Sequence, residues 1–165
     1  MTSSLDDLRD SLLGDGLLAF AGALWVLPRA LIDTTDWATL TRGRIGALRP
    51  FALDVIGDVL ALDGETVVQL DPDDAAVLAL APNLDAFAVG VRATPEAWVG
   101  AHWAARWTLR YGPIPGETRL LPRWPAGMRV PVRVEQLVAL PWEDVIERRF
   151  ARVARLPPGW KIQLE

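Results

Sequence analysis

Short apolar runs, broken again and again by glycine, proline and aspartate, set the rhythm of this chain. Ser3 or Ser4 ahead of Leu5-Asp6-Asp7-Leu8 has the form of an N-cap followed by first-turn acids, which predicts a short helix to about Leu13. Gly14-Asp15-Gly16 ends it. Leu17 to Phe20 and Ala23 to Leu27 flank Ala21-Gly22 and read as a strand pair or one bent strand. Pro28 can open a helix through Ile32, and Asp33-Thr34-Thr35-Asp36 offers a cap for another over Trp37 to Thr41. Arg42 to Arg49, with two glycines, reads as loop.

The sharpest local signal comes next. Val59 to Leu62 and Thr66 to Leu70 are separated by Asp63-Gly64-Glu65, and Asp-Gly suits the positive φ angles of a tight hairpin turn. Arg49 to Leu53 and Val77 to Ala81 extend this hairpin into a meander, with Asp71-Pro72-Asp73-Asp74 as a turn. Apolar and polar residues alternate only weakly in these runs, so the sheet is expected to be covered on much of both faces. Pro82-Asn83 caps a helix to about Val91, and Pro95 starts another that reaches about Arg110. The proline- and glycine-rich stretch Tyr111 to Met128 predicts an extended loop with a strand at Thr118 to Leu121. Farther on, Val130, Val132 and Val134 alternate like a strand, while Glu135 to Leu140 suits a helical turn. Pro141 opens a last helix with Trp142, Val145, Ile146, Phe150 and Val153 on one stripe and Glu147, Arg148 and Arg152 toward solvent. Leu156-Pro157-Pro158-Gly159 then turns the chain into a closing strand, Trp160 to Leu164. No repeat or linker interrupts this order. It predicts a single domain over residues 1–165, of α+β class, with a small, mostly antiparallel hairpin and meander sheet against several helices.

Composition narrows the function. Hydrophobic residues make up 51% of the 165, enough for a core without a metal or disulfide, and the absence of cysteine excludes disulfides, thiolate zinc sites and a thiol nucleophile. The N-terminus carries Asp6, Asp7 and Asp10 against Arg9, unlike a signal peptide, and the uncharged run Gly16 to Pro28 is too short to cross a bilayer. A soluble, cytoplasmic protein with no membrane partner is expected. The net charge of −4 hides an asymmetry: residues 1–90 hold 14 acidic and 5 basic side chains, residues 91–165 hold 7 and 12. Either the halves neutralise each other or an acidic face awaits a basic partner. A pI near 5.0 argues against a nucleic-acid partner.

The search for catalytic chemistry finds little. His102 is the only histidine, lies at helical spacing from Trp98, Ala105 and Leu109, and reads most simply as structural. All three serines, Ser3, Ser4 and Ser11, lie in the N-terminal segment, and no Gly-x-Ser-x-Gly elbow accompanies them. Asp71-Pro72-Asp73-Asp74 lacks the glycine and distal glutamate of a calcium loop and is ordinary turn chemistry. Asp54, Asp58 and Asp63 would bind a metal only if they converged, and no phosphate loop or dinucleotide fingerprint is present. No enzyme activity, metal or cofactor is predicted. Tryptophan is abundant, with eight residues, three of them on one helix: Trp103 and Trp107 fall within ~40° of each other, roughly opposite Trp98. Either that helix is buried on both sides or one pair is exposed, and exposed tryptophan beside Arg106 and Arg110 has the composition of a binding hot spot.

Gly14-Asp15-Gly16-Leu17, then Phe51-Ala52, then Gly57-Asp58 leading into the hairpin Val59 to Leu70, resembles the GAD-like immunity proteins of bacterial type VI toxin systems, relatives of the SUKH superfamily. The similarity runs through Asp71-Pro72, two helices and Gly112-Pro113-Ile114-Pro115-Gly116-Glu117, over about residues 14–130, and the C-terminal helix, turn and strand look like SUKH-type endings. Pro125-Ala126-Gly127 stands where the family often has Gly-Gly. The resemblance implies a SUKH-like α+β domain that binds and neutralises a cognate toxin, often a nuclease or an ADP-ribose-directed enzyme. The expected protein is therefore a binder, monomeric or homodimeric, with a protein toxin, possibly basic, as partner. Candidate contact residues are Asp33, Asp36, Asp54, Asp58, Asp63, Glu65, Asp71, Trp103 and Trp107. A small-molecule or nucleotide-binding regulator is the alternative, and a metal-dependent hydrolase using the aspartates is a third.

Overall fold

The computed structural model describes Leu8 and residues 18–73, 76–123 and 133–153. The expected N-terminal helix (Leu8 apart, which is helical and buried), the valines at 130 and 132 and the closing strand Trp160 to Leu164 lie outside the described residues.

Six strands form one antiparallel sheet in sequence order: β1 (Leu18–Ala19), β2 (Leu24–Val26), β3 (Arg49–Leu53), β4 (Val59–Asp63), β5 (Thr66–Leu70) and β6 (Val77–Ala81). The two candidate runs at 17–27 are thus a pair, Leu18 facing Trp25. The hairpin keeps the expected register, Asp63 opposite Thr66, with Gly64 at φ +61° in the tip. A two-residue connection leaves little room for any other pairing, so this meander is fixed by local turn chemistry.

Both faces of the sheet are covered, which is why its strands alternate so weakly. On one face, Leu24, Val26, Phe51, Leu60, Leu62 and Val67 meet α3 (Leu84–Ala93), α4 (Pro95–Val99) and α5 (Ala101–Tyr111). On the other, Trp25, Leu27, Leu53, Val59 and Leu70 meet α1 (Arg29–Thr34), α2 (Trp37–Leu40) and α6 (Trp142–Val153). Asp36 and Asn83 cap α2 and α3 as expected, accepting from Thr39 N at 3.0 Å and Ala86 N at 2.9 Å. The Trp142 ring lies 6.0 Å from Trp25 and 5.4 Å from Trp37, so three tryptophans build the second core. Each such buried aromatic or branched side chain contributes about 1.5–3 kcal/mol.

A second sheet pairs β7 (Thr118–Pro122) with β8 (Leu137–Pro141), preceded by a 3-10 turn at Val134–Gln136. Leu120 N donates to Val55 O at 2.9 Å and ties β7 to the loop after β3.

Two expectations need correction. The helix expected from Pro95 to Arg110 is two helices, because Gly100 sits at φ +65° and a Cβ there would lie 2.9 Å from Val55 Cγ1. The chain turns at the one residue that tolerates both the left-handed backbone and the contact. Glu135 to Leu140 is not a helical turn beyond its first residues. Pairing of Leu137 with Pro122 and Pro141 with Thr118 draws it into a strand, a long-range contact that local propensity does not report.

Candidate functional site

The predicted contact residues fall into separate places. The end of β3 leads into Asp54, which is buried, and its Oδ1 accepts from Ile56 N at 3.0 Å and Asp58 N at 2.8 Å, closing the tight turn before β4. Asp58 is buried as well, and Asp71 is half-buried at the end of β5. Asp58 and Asp71, together with Asp73, face one side chain that is not among the expected contact residues. Arg149 of α6 has a fully buried side chain and is flanked on its helix by Val145, Ile146 and Phe150. Its Nε and Nη2 donate to Asp73 Oδ2 at 3.1 and 2.8 Å, and Nη2 also donates to Asp71 Oδ1 at 3.0 Å. Its Nη1 donates to Ile56 O at 2.9 Å and, in a short contact, to Asp58 Oδ1. Gln69 Nε2 donates to the other oxygen of Asp58.

Carboxylates outnumber the guanidinium here, and the electrostatics reflect it. Burial, and then the charge of Asp58, push the Asp54 carboxyl well above the ordinary carboxylate range, with Arg149 opposing. The same two causes raise Asp71 to about 6, again against Arg149. Burial works against the Arg149 charge, but Asp58, Asp73 and Asp71 outweigh it and hold the proton more firmly than usual. Chemically the cluster is a clamp. One cation ties the β3–β4 and β5–β6 connections to α6, and it fills the position between Asp58, Asp71 and Asp73 that a metal would need. Among the described residues no group of three or more histidines and acids is arranged to hold a metal ion.

A spacing signal could have exposed Arg149. It stands four residues after Val145 and three after Ile146, inside the apolar stripe, where an unpaired cation is too costly to bury. The turn aspartates were its obvious partners. Arg152, expected in solvent, is half-buried and donates to Pro122 O at 2.8 Å, anchoring α6 to β7. A second buried cation, Arg119, lies 5.2 Å from the Trp25 ring and donates to Gly22 O and Gly116 O at 2.8 and 3.0 Å. Burial lowers it to about 10, against the pull of Asp54.

Asp54 and Asp58 therefore cannot touch a partner while the chain stays folded, and Asp71 offers it only one edge. The remaining acids are exposed but dispersed. Asp33 lies 3.6 Å from Arg29, Asp36 caps α2, and Asp63 and Glu65 mark the β4–β5 tip. Asp33 and Asp36 sit on the α6 side of the sheet, Trp103 and Trp107 on the opposite side.

Around α5 the picture is different. The helix buries only Ala101 and Ala104, through which it rests on the core. Trp98, on α4, is covered by α3, with Phe87 5.7 Å away and Gly90 beneath its ring. Trp98, Trp103 and Trp107 are all half-buried and pack against the core. His102 stacks on Trp103 at 4.8 Å and Arg106 lies 5.7 Å from the same ring. Trp107 meets Tyr111 at 4.5 Å, with Arg110 5.6 Å from the Tyr111 ring. Leu109 is 89% exposed and Tyr111 50%. Burial, then Arg106, lower the His102 pKa against the opposing pull of Glu96.

No helix among the described residues is long and apolar enough to cross a membrane. No protein-family model matches the chain, and neither a curated protein nor a solved structure does.

Proposed function

We propose that this chain is a non-catalytic binding protein of the immunity type, which neutralises a cognate protein toxin in the cytoplasm by direct contact. The observation that carries the reading is α5, a helix that buries two alanines, packs Trp103 and Trp107 partly against the core and turns arginine, leucine and tyrosine outward. Tryptophan, tyrosine and arginine are the residues that dominate binding hot spots: the two aromatics bury much area for few rotors, and arginine adds a planar fork of donors. The acidic cluster supports the same reading from the other side. Its carboxylates are engaged by Arg149 and by turn amides, which leaves them poorly placed to move protons for a substrate.

Co-expression is the test. The chain is produced together with a toxin encoded beside it, and growth is followed while the complex is sought by size-exclusion chromatography. Survival together with co-elution is the expected outcome. Unrelieved toxicity with no co-elution, or turnover of a toxin substrate by the purified chain alone, refutes the proposal.

A further inference from the structure

We infer that the outer face of α5 is a docking surface for an acidic, apolar protein segment, with Arg106 gripping a carboxylate and Leu109 seating an apolar side chain. This deepens the binding reading above and rests on it for the existence of a partner.

The charge of the face is one-sided. Ala101 to Tyr111 contains two arginines and no acid, in a protein whose net charge is −4. Among the described residues Arg106 meets no carboxylate within ion-pair distance, whereas Arg110 is held by Glu135 at 2.8 Å. At 100° per residue, Arg106, Leu109 and Arg110 fall within ~100° of arc, so one approaching segment can reach all three. An 89% exposed leucine between two arginines costs solvation and contributes nothing to this core. Covered by an apolar side chain whose neighbours are acidic, both the leucine and the free guanidinium gain partners.

A nucleic acid fits less well. Single strands bind by stacking bases on open aromatic faces, and here Arg106 and His102 lie against Trp103 while Tyr111 lies against Trp107. A basic segment would meet Arg106 and Arg110 with like charge.

The test uses the full-length chain and a displayed library of random twelve-residue peptides. Selected peptides should be enriched in both acidic and large apolar residues. The best of them, titrated by tryptophan fluorescence, should bind Arg106→Glu about tenfold or more weakly, and Leu109→Ala several-fold more weakly. Both positions are exposed, so the variants should melt as wild type does. Peptides enriched in basic residues, no enrichment, binding unmoved by either variant, or tighter binding of a thymidine oligonucleotide than of any peptide would each overturn the inference. The outcome is separable from the immunity reading. Toxin neutralisation with basic or no selected peptides removes this inference alone, whereas acidic peptides without any neutralised toxin leave the surface chemistry and remove the immunity role.

Discussion

Arg149 and Arg106 are the same residue type put to opposite uses. Arg149 has lost all contact with water and makes five hydrogen bonds to three aspartates and one carbonyl. Arg106 keeps its water and leans on a single ring. Burying a guanidinium is expensive and becomes tolerable only when every neighbour is arranged around it, so such a residue fixes geometry. An exposed guanidinium over an aromatic ring adds little to folding, about 0.5–1 kcal/mol, and stays available to a partner. Charge density alone would have pointed to the wrong region. The aspartate-rich turns carry the most charge but hold the fold, and the α5 face carries less and is the part left open.

The largest effect that would break this contrast is removal of the clamp. Arg149→Met should destabilise the protein by about 3–5 kcal/mol, since Asp58, Asp71 and Asp73 lose their shared cation; urea unfolding monitored by tryptophan fluorescence reads it. A loss below about 1 kcal/mol would mean that the cluster is not a clamp.

Next comes the close approach of α6 to the turn between Asp54 and Asp58. Gly57 has φ +85°, and a Cβ there would stand 2.8 Å from Val145 Cγ1. Gly57→Ala should cost about 1–3 kcal/mol, checked by thermal melting, while Gly43→Ala, where nothing lies within 4 Å, should cost less.

A smaller effect is sharper in sign. Asp71 has a folded pKa of about 6 against an ordinary 3.8. A carboxyl whose pKa rises on folding takes up a proton on folding between those values. Its contribution to stability is present below about pH 4 and is lost as pH rises through about 6. Melting temperature should therefore gain a component on acidification from pH 7 toward 5, and Asp71→Asn should flatten that component. Its amide oxygen still accepts from Arg149 and from Asp73 N, so the variant should fold. A native profile that declines steadily on acidification, or one that Asp71→Asn leaves unchanged, would contradict the assignment.

How much of this was legible in the sequence follows from the range of the interactions involved. The meander from Arg49 to Ala81 rests on neighbouring turns, such as Asp63-Gly64, and could be read along the chain. Strand β8 could not, because the helical turn at Val134–Gln136 reads on into Leu137 to Leu140 until pairing with β7 makes those residues a strand. The break at Gly100 depends on Val55, far away in sequence. For the candidate site, the turn aspartates were visible but their meaning was not. Asp58 and Asp71 look like surface acids until α6 delivers Arg149 to them, and Asp54 until the turn amides of Ile56 and Asp58 close on it. Trp103 and Trp107 were visible as a pair opposite Trp98, and only the packing of α3 and the core shows that all three are half-buried, the segment being two helices.

The division of labour between the two arginines is tested most directly by titrating a peptide selected on the full-length chain against the Arg106→Glu, Leu109→Ala double variant, with its melting temperature measured alongside. Binding should be lost while the melting temperature stays within about 2 °C of wild type, because both side chains lie outside the core. Undiminished binding by this variant would show that α5 is not the working surface.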